Sequence, residues 1–233
     1  MDNSSLCIEL SDVTFKWSDD RNELLAINSL NINNGESLFI YGPSGSGKST
    51  LLNLLAGVLC PTSGEIKVLN HTLNTQSQTQ RDQIRADHYG IIFQHFNLIP
   101  YLSVLENITL PLSFSSYKQR RTSLLSTHIK EQAFYLLEAL GLDKSIASQN
   151  VTELSTGQQQ RTAAARAMMG SPEIIIADEP TSALDADTKH DFIELLFREA
   201  KKFNSTLVFV SHDQSLAPLF DRALSINAFK STN

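Results

Sequence analysis

Cysteine is scarce in this chain. Cys7 and Cys60 are the only two in 233 residues. They lie far apart in no metal-like spacing, which speaks against a disulfide scaffold and for two thiols in a reducing compartment. Long apolar runs are missing too. The richest, 51–60, is interrupted by Asn53 and Gly57, well short of the roughly 18 residues that span a membrane. Residues 1–5 carry no basic start and no apolar stretch, so no signal peptide is expected. Basic charge is in deficit: 19 Lys and Arg against 25 Asp and Glu give a net charge of −6. That disfavours a broad electrostatic footprint for nucleic acid. The small cluster Lys118-Gln119-Arg120-Arg121 reads as a solvated loop. There is no internal repeat and no low-complexity tract.

What remains is ordinary globular composition, 41% hydrophobic and 19% charged, enough for one domain or a core with a subdomain. Alternation predicts strands at 6–17 and 24–32, with Asn33-Asn34-Gly35 as a turn of the hairpin kind. A strand at 36–41 is followed by a helical pattern at 51–56. Pro61-Thr62-Ser63-Gly64 stops that helix, and 65–69 returns as a strand. A helix at 81–85 and a buried strand at 90–93 come next. Residues 95–170 then read mostly as helices, with 124–140 strongly periodic. A β–α order resumes at 173–178, 188–202, 206–211 and, after a short helix, 223–227. An α/β core interrupted by a helical insert is therefore expected.

The stretch Gly42-Pro43-Ser44-Gly45-Ser46-Gly47-Lys48-Ser49-Thr50 fits G-x-x-x-x-G-K-[ST] between a strand and a helix, the setting of a P-loop. Its glycines let successive N–H groups turn into one hollow for phosphate oxygens. The following helix adds the positive end of its dipole. Lys48 is suited to the β- and γ-phosphates, and the Ser49 hydroxyl to Mg²⁺.

Residues 174–178 form an apolar run ending in Asp178 and Glu179. Open α/β sheets place ligands at such strand ends. Asp178 is a candidate for Mg²⁺, and Glu179 for polarising an attacking water. The run 206–210 ends in Ser211-His212-Asp213, which makes His212 a candidate donor to a γ-phosphate. Leu154-Ser155-Thr156-Gly157-Gln158 opens a long helical stretch. There Ser155 and Gly157 read as an anion site, or as a plain N-cap with Gln158 closing a capping box.

With these residues in this order, the chain resembles the nucleotide-binding subunit of an ATP-binding-cassette (ABC) transporter over nearly its whole length. Residues 42–50 are similar to the Walker A loop, Gln94 to the Q-loop glutamine and 154–158 to the signature. Residues 174–179 resemble Walker B, Ser182-Ala183-Leu184-Asp185 the D-loop, and His212 the switch histidine. Trp17 falls where the family stacks an aromatic residue, usually Tyr, on adenine. One departure is Thr156, in place of the first glycine of Leu-Ser-Gly-Gly-Gln; its β-carbon is expected to reshape the loop, with reduced ATP affinity or slower turnover as the consequence.

The resemblance implies a P-loop NTPase (RecA-like) core, 1–93 and 172–233, with an antiparallel β subdomain and a helical subdomain at 94–171, together one nucleotide-binding domain. It implies ATP and Mg²⁺ as cofactors, with Gln94 contacting Mg²⁺ or the water. It implies a head-to-tail homodimer, with ATP between Walker A of one subunit and Ser155, Gly157 and Gln158 of the other, and Asp185 at the seam. The partner would be a separate integral-membrane permease docking near 94–105, which holds the chain on the cytoplasmic face of the inner membrane. No nucleic acid is expected, and neither is a regulatory domain after His212. The wording of 90–112 and of Gln158-Gln159-Gln160-Arg161 is most similar to the lipoprotein-release and macrolide-exporter group. Ser182, where that group more often has Gly, is frequent in amino-acid importers. Alternatives are an importer ATPase, a soluble non-transport ABC ATPase and a slow ATP-binding switch.

Overall fold

The computed structural model describes residues 6–18, 23–125, 128–182 and 186–230. In chain order the elements are β1 (Leu6–Phe15), β2 (Leu25–Asn33), β3 (Ser37–Tyr41), α1 (Lys48–Leu55), β4 (Ser63–Val68), β5 (His71–Thr72), α2 (Gln78–His88) and β6 (Tyr89–Ile92). There follow α3 (Val104–Thr109), α4 (Ser116–Leu125), α5 (Ile129–Ala139), α6 (Thr156–Met168), β7 (Ile174–Asp178), α7 (Ala186–Lys202), β8 (Thr206–Ser211) and β9 (Arg222–Ser225). Short 3-10 turns join several of them. The chain packs as two compact units, residues 1–85 with 206–233, and residues 86–205.

The first unit holds two sheets. β1 pairs antiparallel with β2 on one side and β4 on the other, and β5 extends β4. Ile8, Leu10, Val13 and Phe15 bury one face of β1. The phase slips by one residue at Asp12, whose φ of 50° marks a bulge where the β1–β4 register shifts. The second sheet is parallel: β3 lies between β8 and β9. β3 and β8 are almost wholly buried, as two-faced burial requires of parallel strands. Asp221 fixes the start of β3, its Oδ2 accepting from Ser37 N at 2.8 Å and from Ser37 Oγ at 2.6 Å.

Two turn expectations are corrected here. Asn33-Asn34-Gly35 does not close a hairpin: β2 belongs to the antiparallel sheet and β3 to the parallel one. Gly35 N instead donates to Thr206 Oγ1 at 2.9 Å. The first helix ends before Pro61, at Leu55, where Gly57 takes a φ of 66° that other residues resist. Ser63 and Gly64 are already strand.

In the second unit β6 and β7 pair in parallel, and the other regular elements among the described residues are helices. α6 is buried over most of its length, with Ala163, Ala164, Ala165, Ala167 and Met168 inside. These small side chains allow close packing, and α3 and α5 pack against α6. The periodic stretch 124–140 is not one helix. α4 stops at Leu125, and α5 starts after His128, whose N–H donates to Glu131 Oε2 at 3.2 Å. The i to i+3 capping pair overrides the apolar period.

Candidate functional site

In the first unit the loop from β3 to α1 is shaped to receive an anion. Gly47, the N-cap of α1, has φ 101° and no side chain with which to cap the helix, and no acidic residue lies in the first turn. The first N–H groups of α1 therefore lack a side-chain acceptor of the usual kind. A β-carbon on Gly42 would stand 2.3 Å from Ile226 Cγ2, so the loop leaves the sheet where only glycine fits. A β-carbon on Gly45 would meet nothing within 4 Å. Pro43, Ser44 and Gly45 are exposed, whereas Ser46 is buried and donates Oγ–H to Pro43 O at 2.6 Å. Lys48 is buried at 6% exposure and bends its Nζ back to Gly42 O (2.9 Å) and Pro43 O (3.0 Å). Its charge thus sits under the arch of the loop. Ser49 is exposed on the first turn of α1, and Thr50 follows half-buried.

His212 stands beside that loop. Tyr41 and Ser211 are Cα partners in the β3–β8 ladder, and Tyr41 and Ser225 in the β3–β9 ladder. Gly42 and His212 thus leave neighbouring parallel strands at one level, and His212 is exposed there. Trp17 is 47% exposed and meets Phe15 edge to face at 5.1 Å. Phe15 pairs with Leu25, and the side chains of Leu24 and Leu25 lie 3.3–3.5 Å from the β-carbon position of Gly47. One packed set of residues thus connects the half-open indole to the P-loop.

The second unit carries the other candidates at two places. Ile92 and Ala177 are Cα partners, so Gln94 and the pair Asp178–Glu179 emerge from the same end of β6 and β7. Gln94 is exposed, and both acids are half-buried. Glu179 has φ 47°, a left-handed backbone in a residue that disfavours it by about 1–2 kcal/mol. Such positions recur where chemistry fixes a side-chain direction.

The other place is the start of α6. Ser155 is its N-cap, and Gln158 N donates to Ser155 Oγ (3.3 Å) while Ser155 N donates to Gln158 Oε1 (2.9 Å). The Gln158 carbonyl therefore serves the capping box. Thr156 points outward, exposed, with the box intact. Gly157 is half-buried, and a β-carbon there would meet nothing within 4 Å. Among the described residues none crowds that position. Asp185 lies outside the described residues.

The structure also shows residues that motif reading missed. Arg166 on α6 and Asn107 on α3 hold the segment that follows Gln94. Gln160 on α6 is wholly buried, with neither amide atom hydrogen-bonded. A polar residue on an alanine-rich helix is the one signal that could have flagged the two on α6. No group of three or more His, Cys, Asp or Glu gathers as a metal cluster among the described residues. No helix among them is long and apolar enough to cross a membrane.

An uncapped helix after a glycine arch, with a buried lysine beneath and parallel strand ends alongside, defines a phosphate-binding P-loop protein of the α/β class. Comparison with known proteins narrows this class. The profile described as "ABC transporter" matches residues 25–182. The ABC transporter ATP-binding protein MJ0796 of Methanocaldococcus jannaschii is 38% identical over 219 residues, 93% of this chain and 92% of that one. A solved dimeric, post-hydrolysis structure of MJ0796 bound to ADP and Pi is similar at TM-score 0.79, with 37% identity, covering 96% of this chain and 94% of that chain. The lipoprotein-releasing ATP-binding protein LolD of Psychrobacter arcticus is 39% identical over 195 residues, 84% of this chain and 83% of that one. The macrolide export ATP-binding/permease protein MacB of Burkholderia thailandensis is 36% identical over 222 residues, 94% of this chain and 33% of that longer one.

The chain belongs to the ABC transporter family as an ATP-binding subunit, an ATPase with the cassette fold and with relatives of the LolD and MacB type.

Proposed function

We propose that this subunit powers a separate membrane permease of the lipoprotein-release or macrolide-exporter type, hydrolysing ATP in a head-to-tail homodimer on the cytoplasmic face of the membrane. The observation that carries the reading is the half-site of the first unit: Lys48 under the glycine arch, α1 without a side-chain cap, and His212 at the adjoining strand end.

The roles follow from chemistry. The amides of 42–50 and Lys48 Nζ take the β- and γ-phosphate oxygens. Trp17 offers its exposed face to the adenine ring. Glu179 orients the attacking water, and His212 donates a hydrogen bond to the γ-phosphate. The exposed Ser49 hydroxyl and the Asp178 carboxylate are hard oxygen donors that suit Mg²⁺, with Gln94 as a further ligand or water contact. Bound there, Mg²⁺ would neutralise charge on the phosphate oxygens. Ser155, Gly157 and Gln158 face the nucleotide held by the second copy, and Asp185 lines the seam. The open space at Gly157 supports this, since it leaves room for a group to approach the backbone there. Elements α3 to α6 act as the helical subdomain. The permease docks on the second unit near 94–105, where a cavity of about 720 Å³ is lined by Leu105, Ile129, Phe134 and Ala147, with Glu106 and Lys144 at its polar edge.

The test is purification of the tagged chain from detergent-solubilised membranes with identification of what co-purifies, together with sizing of Glu179→Gln with and without Mg-ATP. A few-span permease with a large outer domain, and an ATP-dependent dimer, are the expected results. A compact many-span permease, or a variant that stays monomeric at saturating Mg-ATP, would overturn the respective parts.

A further inference from the structure

Gln94 stands at the head of a segment with almost no regular structure, and the structure shows how that segment keeps its shape. Phe96 and Asn97 have φ 58° and 49°, two consecutive non-glycine residues in the left-handed region. Such a turn persists only when its surroundings hold it. The hold comes from α6. Arg166 donates Nη2–H to Phe96 O and Nη1–H to Asn97 O, both at 2.6 Å. The side chain is buried at 9% exposure, and burial lowers the guanidinium pKa. Its acceptors are neutral carbonyls, and the planar fork sets the spacing of the two oxygens.

The far end of the segment is held from α3. Asn107, fully buried, accepts from Ile99 N at 2.8 Å, and its two Nδ2 hydrogens are shared among Ile99 O, Leu102 O and Ser103 O at 3.1–3.3 Å. Gln94 lies between β6 and the first of these anchorages.

We propose that Arg166 is a positioning residue that ties the place of Gln94 to helix α6, the helix whose first turn carries Ser155 and Gly157. Arg166 lies nine residues beyond Gly157 in sequence, about 14 Å along one continuous helix. A shift of α6 when Ser155 and Gly157 engage a nucleotide therefore moves Phe96 and Asn97, and Gln94 with them. The second copy's nucleotide in this way reports to the catalytic glutamine through one guanidinium. The inference rests on the reading that Gln94 serves the reaction and that the start of α6 meets nucleotide.

The experiment compares wild type, Arg166→Lys, Gln94→Ala and the double variant by steady-state ATPase, melting temperature and ATP affinity. Lysine keeps the charge but cannot hold two carbonyls at fixed spacing. Arg166→Lys should lose about tenfold in kcat with KM within twofold, and should add no loss on top of Gln94→Ala. If the two losses multiply, or if folded Arg166→Lys turns over like wild type, the positioning role is overturned. If Gln94→Ala itself turns over like wild type, the underlying reading of Gln94 fails instead. Should Arg166→Lys not fold, hydrogen exchange on the wild-type chain decides. With Mg²⁺ and a non-hydrolysable ATP analogue, segments 93–100 and 155–165 should gain protection together. Protection of 155–165 alone would overturn the proposal.

Discussion

Tyr41 and Ser211 are Cα partners in a parallel ladder, so the P-loop and His212 leave neighbouring strands at one level. On the proposed function, a group at that place meets the terminal phosphate without shaping the cradle. Lys48 is built into the cradle, with two loop carbonyls as its partners. The two should fail differently. His212→Ala should keep ATP affinity within about threefold and lose about 100-fold in kcat. Lys48→Ala should weaken ATP binding more than tenfold and also lower stability by about 1–3 kcal/mol, because Gly42 O loses its lysine donor and Pro43 O is left with those of Ser46. Equilibrium binding of a fluorescent ATP analogue beside steady-state turnover separates the two.

Gln160 is wholly buried, and neither amide atom finds a hydrogen bond. A buried unsatisfied polar group costs about 1–3 kcal/mol. Gln160→Met keeps the length of the side chain and removes both polar atoms. The variant should be more stable than wild type by about 1–2 kcal/mol in urea unfolding, with an unchanged m-value. A destabilised variant would show that the amide is satisfied after all, for instance by a buried water.

Lys118 is buried at 2% exposure and donates to Tyr89 O at 2.7 Å, with Asp87, Glu173 and Arg121 as the charges around it. Burial pushes its ammonium down from 10.5 to about 8. Between those two values the unfolded chain holds the proton that the folded chain has released, so stability rises with pH there. Measured against Lys118→Met, wild type should gain on the order of 2 kcal/mol from pH 7 to pH 10. A flat difference across that range would show that the lysine titrates as if exposed.

Thr156 is exposed at the first position of α6, and the Ser155–Gln158 capping box is complete beside it. On that geometry the threonine is a surface residue beside an intact cap. ATPase rates of wild type and Thr156→Gly should agree within about threefold, as for surface substitutions that leave a cap intact. A glycine variant ten times faster would mean that the threonine obstructs the approaching nucleotide.

The parts of the fold and site that could be read from sequence are those in which local order and chemistry coincide. Residues 42–50 place glycines, lysine and serine at fixed spacing between a strand and a helix. The stretches 174–178 and 206–211 are continuous apolar runs with polar ends, and they form β7 and β8. What could not be read depends on partners distant in sequence. Arg166 has its acceptors about 70 residues upstream, at a turn whose left-handed backbone no composition announces. The break between α4 and α5 was hidden because its apolar residues keep the helical period while Leu124 and Leu125 face solvent. The turn at Asn33-Asn34-Gly35 has hairpin residues, yet only the sheet assignments of β2 and β3 show that it links two sheets.

Helix α1 begins at a residue with no side chain to close it. In most helices a serine or aspartate would accept the first amide hydrogens at all times. Here a phosphate would do so only while it is bound, and the helix would then be complete only in the liganded protein. Nucleotide would therefore act as a folding ligand as well as a fuel. Each tenfold rise in its concentration above Kd would add about 1.4 kcal/mol to the stability of the fold. The subunit's resistance to heat and proteolysis would then track the cell's supply of ATP and ADP.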